Sequence, residues 1–228
     1  MTGIKTFLLV FAAIFPVVNP PGAALVFLGL TRTATSEIRR ILAWRVARNS
    51  FFVLVGSLLL GALILQFYGI SVSILRVAGG FVVAVSGWKL LSERSHRDSE
   101  GVTDVPSQFD ILTQAFYPLT LPLTTGPGTI AVVISIGLSK ESYTGLLEET
   151  IFVVACLLAV AAIAAIIFFC FRYADRVQRL LGQGGIDIAA RLFAFILFCL
   201  GVQILWSGAS ELLRSIQTSP PVAASAVK

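Results

Sequence analysis

Two short clusters of proline, glycine and amide or hydroxyl side chains hold most of the chemistry available to this chain. The first is Pro16-Val17-Val18-Asn19-Pro20-Pro21-Gly22, and the second is Pro122-Leu123-Thr124-Thr125-Gly126-Pro127-Gly128. Each interrupts a long apolar run. At a shift of 106 residues Pro16 falls on Pro122, Asn19 on Thr125, Pro21 on Pro127 and Gly22 on Gly128. Proline lacks an N–H and clashes with the preceding turn, so a regular helix cannot pass through either cluster undisturbed. Asn19 and Thr125 suit a helix N-cap, and Pro20, Pro21 and Pro127 suit the first helical positions that follow. Each restarted helix would present N–H groups and a positive dipole end, a place for a carboxylate or another small anionic group. Asn19, Thr124 and Thr125 add side-chain donors and acceptors. Gly22, Gly126 and Gly128 allow a ligand close to the backbone. One proline kink is most simply a packing feature. Two matched breaks favour a ligand site of the kind that carriers build at mid-membrane from paired broken helices.

Arg76 and Arg191 form a second constellation, one near the start of an apolar run in each half. A guanidinium in a bilayer costs roughly 2.5–3.5 kcal/mol unless it reaches the interface. Each can snorkel, bind carbonyls at a broken helix, or steer an anionic group, and the sequence supports these readings equally. Asp187 lies one helical turn before Arg191, which favours a structural pair there.

The elements that must position these residues are membrane helices. Of the 228 residues, 57% are hydrophobic and 13% charged, where a soluble domain carries about 25% charge. The expected fold is an all-α membrane protein with six transmembrane helices arranged as two inverted three-helix repeats, with helices 1 and 4 broken. The spans fall at 4–30, 46–65, 70–91, 109–138, 150–171 and 186–213. Between the first two spans, Thr31 to Arg45 is a polar segment with a short interfacial helix capped by Thr35 or Ser36, with Glu37 in its first turn. Gln66 to Gly69 is a tight turn, and Arg172 to Gly185 is a basic and then Gly-rich connection. The first repeat is 1–91, a linker 92–108 is the hinge, the second repeat is 109–213, and 214–228 is a frayed tail. An odd number of crossings per repeat forces the second copy to be inverted. Gly79, Gly80 and Ala84, and Ala190 with Ala194, supply small-residue faces for close helix contact. Trp44, Trp88 and Trp206 lie near span ends and read as interface anchors.

Basic residues orient the chain. Eleven Lys and Arg flank the links after spans 1, 3 and 5, and only Lys5, Lys140, Arg214 and Lys228 flank the other side. The richer side is therefore cytoplasmic, and both termini face the periplasm. The start of the chain is not read as a cleaved signal, because its apolar run is too long and no small-x-small site closes it. The formal charge of +5 is an orientation signal here and gives no support for nucleic acid. Cys156, Cys170 and Cys199 lack metal spacing and read as reduced thiols in apolar surroundings. A single histidine, His96, cannot build a metal site alone. No Walker loop, zincin helix or Ser/His pair is present. The chain is read as a non-enzyme with no cofactor and no metal.

Several motifs together resemble the MarC family of bacterial inner-membrane proteins. They are Pro16-x-x-Asn19-Pro20, Leu75-Arg76-x-Ala78-Gly79-Gly80, Pro122-Leu123-x-x-Gly126-Pro127-Gly128-Thr129-Ile130, Gly182-x-Gly184-Gly185-Ile186, and Arg191-Leu192 followed by Gly201-Val202-Gln203. The likeness runs from about Phe7 to Leu213 and departs in the loop 92–108 and beyond Ser215. It implies six spans in the plasma membrane and transport of small neutral amino acids, since some relatives carry glycine- or alanine-type substrates. The expected function is a secondary carrier whose repeats rock about the half-helix starts after Asn19 and Thr125. An exporter of metabolites or toxic compounds, and a non-transporting envelope-stress protein, are the alternatives. Proton or sodium coupling and a homo-oligomeric state stay open, and the lipid bilayer is the one partner the composition demands.

Overall fold

The computed structural model describes residues 3–31, 34–92, 115–138 and 145–218. Of the expected hinge 92–108 and tail 214–228, residues 93–108 and 219–228 lie outside the described residues, as do His96 and the side chain of Asp187, while Ser92 ends one helix and 214–218 continue another. Among the described residues all regular structure is helical. The elements are α1 (Gly3–Val18), α2 (Pro20–Leu30), α3 (Ser36–Tyr68), α4 (Val72–Ser92), α5 (Ala115–Thr124), α6 (Pro127–Leu138) and α7 (Leu146–Thr218). Five stretches are long and apolar enough to cross a membrane: Gly3–Leu28, Ser36–Tyr68, Val72–Ser92, Leu146–Arg176 and Arg191–Ser215. Of the fourth expected span, 109–114 lie outside the described residues, and the rest is broken as expected into two short pieces, irregular α5 and then α6.

Two connections differ from expectation. The polar segment before the second span is not a separate interfacial helix, because α3 runs unbroken from Ser36 to Tyr68. Thr35 caps it as expected, its hydroxyl accepting from Ile38 N at 3.3 Å, and Glu37 sits in the first turn. No proline or glycine interrupts residues 36–55, so the basic turns continue as helix until Gly69 ends it in the left-handed region at φ 65°. The Arg172–Gly185 connection is also helical. Its first ten residues again lack Gly and Pro, and the helix yields only at Gly182, with φ 66° and ψ 176°.

The core lies between the broken first span and the first half of α7, closed over by α3. Ile14, Phe27, Leu42, Val46, Leu54, Ile163, Ile167 and Phe171 are all nearly or fully buried. Phe27 stacks on Phe171 with ring centroids 4.6 Å apart. Trp44 meets Phe168 edge-on, and Arg39 of α3 pairs with Asp175 of α7 while also donating to Ala34 O. Outward-facing Leu8, Leu9, Phe52, Leu59, Leu63, Leu158 and Phe169 are more than half exposed. So many exposed large apolar side chains suit a lipid solvent, not water. Trp44, Trp88 and Trp206 are exposed too, as interface anchors require.

The later half of α7 lies antiparallel along α4. A Cβ at Gly208 would sit 2.6 Å from Ser73 O, and one at Gly87 would sit 3.0 Å from Ala194 O. Between these points a Cβ at Gly80 would lie 2.8 Å from Gly201 O, and one at Gly201 would lie 2.6 Å from Ala84 Cα. Glycine is needed at this crossing because the two main chains touch. α6 adds to the same group: a Cβ at Gly79 would meet Ala131 Cβ at 2.7 Å, and one at Gly137 would meet Leu58 O of α3 at 2.6 Å.

Candidate functional site

The first break is one residue wide. Asn19 adopts φ 47° and ψ 59°, and it is the only described non-glycine residue with positive φ. Asparagine tolerates this region better than most residues because its short amide bonds locally. Helical bonding reaches the break from both sides, with Asn19 N to Phe15 O at 2.9 Å and Ala23 N to Asn19 O at 2.9 Å. Asn19 Oδ1 accepts from Gly22 N at 3.2 Å. Pro20 and Pro21 have no N–H to offer. The open N–H groups expected at the start of α2 are therefore already used inside the chain. What α2 offers a ligand is the Asn19 amide and the dipole end. The space that a Cβ would take at Gly22 is filled by the same amide.

The cap and the left-handed geometry can be separated by substitution. Asn19→Gly keeps the backbone conformation and loses only the cap, a cost of a few tenths of a kcal/mol. Asn19→Ala loses both, and should cost about 2 kcal/mol when about 1 for the cap is added to about 1 for left-handed strain. Thermal unfolding of the two variants in detergent should thus rank glycine above alanine. Equal melting temperatures would contradict the account of the break.

The second break is spread over more chain. Tyr117 and Leu121 are extended (ψ 125° and 124°). Each precedes a proline, which pushes the residue before it out of the helical region. The threonine hydroxyls bond back five residues along the broken stretch: Thr120 Oγ1 donates to Ala115 O at 2.7 Å, Thr124 Oγ1 to Leu119 O at 2.7 Å, and Thr125 Oγ1 to Thr120 O at 3.0 Å. Thr120, Thr124, Thr125 and Thr129 are all buried. Thr125 was expected to cap α6 forward, but it bonds backward, and Thr125 N also donates to Thr120 O at 2.8 Å. Gly126 takes the cap position, its carbonyl accepting from Ile130 N at 3.1 Å. Pro127 is the first residue of α6. A Cβ at Gly128 would run into Val83 and lie 3.0 Å from Gly79 O, so this glycine also serves the contact between α6 and α4. Thr124→Val keeps the shape and removes a hydroxyl from Leu119 O. It should cost about 1 kcal/mol, read as a fall of roughly 2–4 °C in melting temperature; no change would mean that the hydroxyl does not support the break.

The two broken segments adjoin crosswise, α1 against α6 and α2 against α5. A small cleft of about 80 Å³ opens at the first break, lined by Asn19, Gly22, Ala23 and Val26, by Leu90 of α4, and by Phe193, Ala194 and Leu197 of α7. A larger one of about 350 Å³ is lined by Arg76, Val132, Ser135, Ile136, Gln203, Ile204 and Ser207. Arg76 Nε donates to Ser135 Oγ at 3.2 Å, and Nη1 lies 2.8 Å from Glu211 Oε2. Arg76 thus joins α4 to α6 and to the end of α7. Arg191 stands apart, exposed at the start of its span, and the structure does not bring it to either break.

Glu211, Ser135 and Ser207 are not among the expected site residues, and Gln203 is expected only as part of a family motif. A usable signal was present. Gln203, Ser207 and Glu211 recur every four residues on a mostly apolar span, which puts them on one face. A polar stripe of that kind must face protein or water.

A multi-span helical membrane protein with paired broken segments is the class that this fold and site define. Residues 4–213 match the family described as MarC family integral membrane protein, and the chain belongs to that family. It is 32% identical over 206 residues to the inner membrane protein MarC of Salmonella typhimurium, covering 89% of this chain and 93% of the relative. The inner membrane protein MarC of Escherichia coli O1:K1 is 32% identical over 210 residues, with the same coverage. No solved structure matches.

Proposed function

We propose that this protein is a secondary carrier of small neutral amino acids, built as two inverted repeats in the inner membrane with both termini periplasmic. The repeats are 1–91 and 109–213, joined by a cytoplasmic linker. The inner-membrane names of the Salmonella and Escherichia relatives support the location.

The observation that carries the reading is the relation between the two clefts. Val26 in the small cleft corresponds to Val132 in the large one under the 106-residue shift that aligns the breaks. Leu90 corresponds to Ile204 under the 114-residue shift that aligns Gly87 with Gly201. Each cleft combines a broken span with α4 and the later half of α7. Equivalent clefts at opposite ends of one antiparallel helix pair, one of about 350 Å³ and one of about 80 Å³, are what an alternating-access carrier presents in a single state. Rocking the repeats would exchange the two sizes. A non-transporting envelope protein has no need of this pairing.

In this mechanism the substrate carboxylate sits at the helix starts after Asn19 and Thr125. The Asn19 amide provides a polar contact, the inward-bonded hydroxyls of Thr124 and Thr125 hold the second break in shape, and the dipole ends of α2 and α6 favour the negative charge. Pro20, Pro21 and Pro127 keep the helices broken there, and Gly22, Gly126 and Gly128 keep the backbone close. The small cleft has room for roughly two or three waters, so glycine and alanine fit the scale where large side chains do not. Coupling to a proton or sodium gradient, and assembly as a homo-oligomer, extend this reading without altering the site.

Ligand-induced stabilisation tests it. At a concentration of about 100 Kd a ligand of the folded state adds about 2.7 kcal/mol, or roughly 5–10 °C in melting temperature for a chain of this size. Glycine or alanine should give such a shift in detergent, and phenylalanine should give none. Absence of a shift with every small neutral amino acid would reject the substrate class.

A further inference from the structure

We propose that the large cleft at Arg76 is a vestibule site for a zwitterion, with the α-carboxylate taken by the Arg76 guanidinium and the α-ammonium by Glu211. This rests on the carrier reading and gives it an outer station distinct from the breaks. Three spans converge on the cleft: Arg76 comes from α4, Ser135 from α6, and Gln203 and Ser207 from the later part of α7, while Glu211, one turn beyond Ser207, reaches the cleft's Arg76 from its edge. The Arg76–Glu211 pair measures 2.8 Å, and its side chains keep 31% and 52% of their exposure. A ligand that carries both charges can exchange the pair's single contact for two of its own, one on each partner. A guanidinium has five N–H donors, and the contacts to Ser135 and Glu211 use two.

The charge pattern selects the ligand class. One cation beside one anion has no net charge, and its local dipole is best matched by an antiparallel dipole of similar length. An amino acid zwitterion supplies one. A simple carboxylate gains Arg76 but meets repulsion from Glu211, and a simple amine meets the reverse. Val132, Ile136 and Ile204 give the cleft an apolar wall for a small side chain, and Gln203 and Ser207 add polar contacts. The volume of about 350 Å³ holds roughly a dozen waters, enough for one small amino acid with part of its hydration retained. A purely structural clip between α4 and α7 has no use for that space.

The test is equilibrium binding to the full-length protein in nanodiscs, with L-alanine, propionate and ethylamine as the three probes. Wild type should bind alanine about tenfold or more tighter than either single-charge probe. Arg76→Gln should lower affinity for alanine and propionate alike by about tenfold. Glu211→Gln should lower alanine affinity to near that of propionate while leaving propionate as tight as before or tighter. Equal affinity of wild type for alanine and propionate overturns the proposal, as does wild-type alanine binding in both variants, or no saturable alanine binding at all. The comparison of probes on wild type stands even if a variant fails to fold. The carrier reading is judged separately in proteoliposomes. Alanine flux that ignores both substitutions overturns the vestibule alone, and binding without flux for any small amino acid overturns the carrier alone.

Discussion

Gly201→Leu should unfold this protein far below the temperature at which the wild type melts. A Cβ at Gly201 would fall against the backbone of Ala84, 2.6 Å from its Cα and 2.8 Å from the carbonyl carbon of Val83. The neighbours are main chain and cannot rotate away, so the helices must separate. That would also loosen the crossings at Gly80, Gly87 and Gly208, which sit in the same antiparallel contact. Overpacking a core site costs about 1–3 kcal/mol even when neighbours can adjust. Here the upper end or beyond is expected, about 3 kcal/mol or more, which lowers the melting temperature by roughly 6–12 °C. Gly56→Ala on α3 is the control. No atom lies within 4 Å of the added Cβ, and removing a mid-helix glycine should stabilise by about 0.5–1 kcal/mol. Fluorescence-detected size-exclusion after heating measures both. A Gly201→Leu protein that melts with the wild type would mean that α4 and α7 do not cross as described.

Gly22→Ala should have the larger effect on transport. Its new methyl would occupy the place of the Asn19 amide, with Cγ at 2.9 Å and Oδ1 at 3.0 Å. Asparagine is too short to keep its bond to Gly22 N while giving way. The cap is lost, worth about 1 kcal/mol, so the protein should still fold. The lining of the small cleft changes at two of its residues together, Asn19 and Gly22. Misplacing a ligand by about 1 Å can cost on the order of a hundredfold in an organised site. Uptake of alanine or glycine should therefore fall by at least about tenfold, with the melting temperature lowered by only roughly 2–4 °C. Near-wild-type uptake would remove the first break from the substrate path.

The features readable from the chain alone were those that backbone chemistry dictates. Pro20-Pro21 after Asn19 required an interruption, and the left-handed Asn19 with its cap on Gly22 N is the local solution. Thr35 and Gly69 marked the ends of α3 for the same reason. Features set by what lies across the contact were harder to read. Asn19 consumes the amide that a ligand was expected to use. Thr125 turns backward, bonding Thr120 O through both its hydroxyl and its N–H, and leaves the cap of α6 to Gly126. Arg172 to Leu181 looked like a loop because it is charged, yet charge does not stop a helix that has no glycine or proline before Gly182. Arg76 was conspicuous as a cation in an apolar run. Its partner Glu211 lies 135 positions away, and only the antiparallel packing of α4 and α7 brings the two together. Arg191 matches Arg76 in sequence, but it lies exposed at the start of its span and shares none of Arg76's cleft.

On the proposed reading, the paired breaks form the path of a small amino acid through the membrane. Its most direct test is uptake of radiolabelled glycine and alanine into proteoliposomes containing the purified wild-type protein. The account predicts saturable uptake above that of empty vesicles, lost in Gly22→Ala and retained in Gly56→Ala. Folded wild-type protein that moves no small neutral amino acid faster than empty vesicles would contradict it.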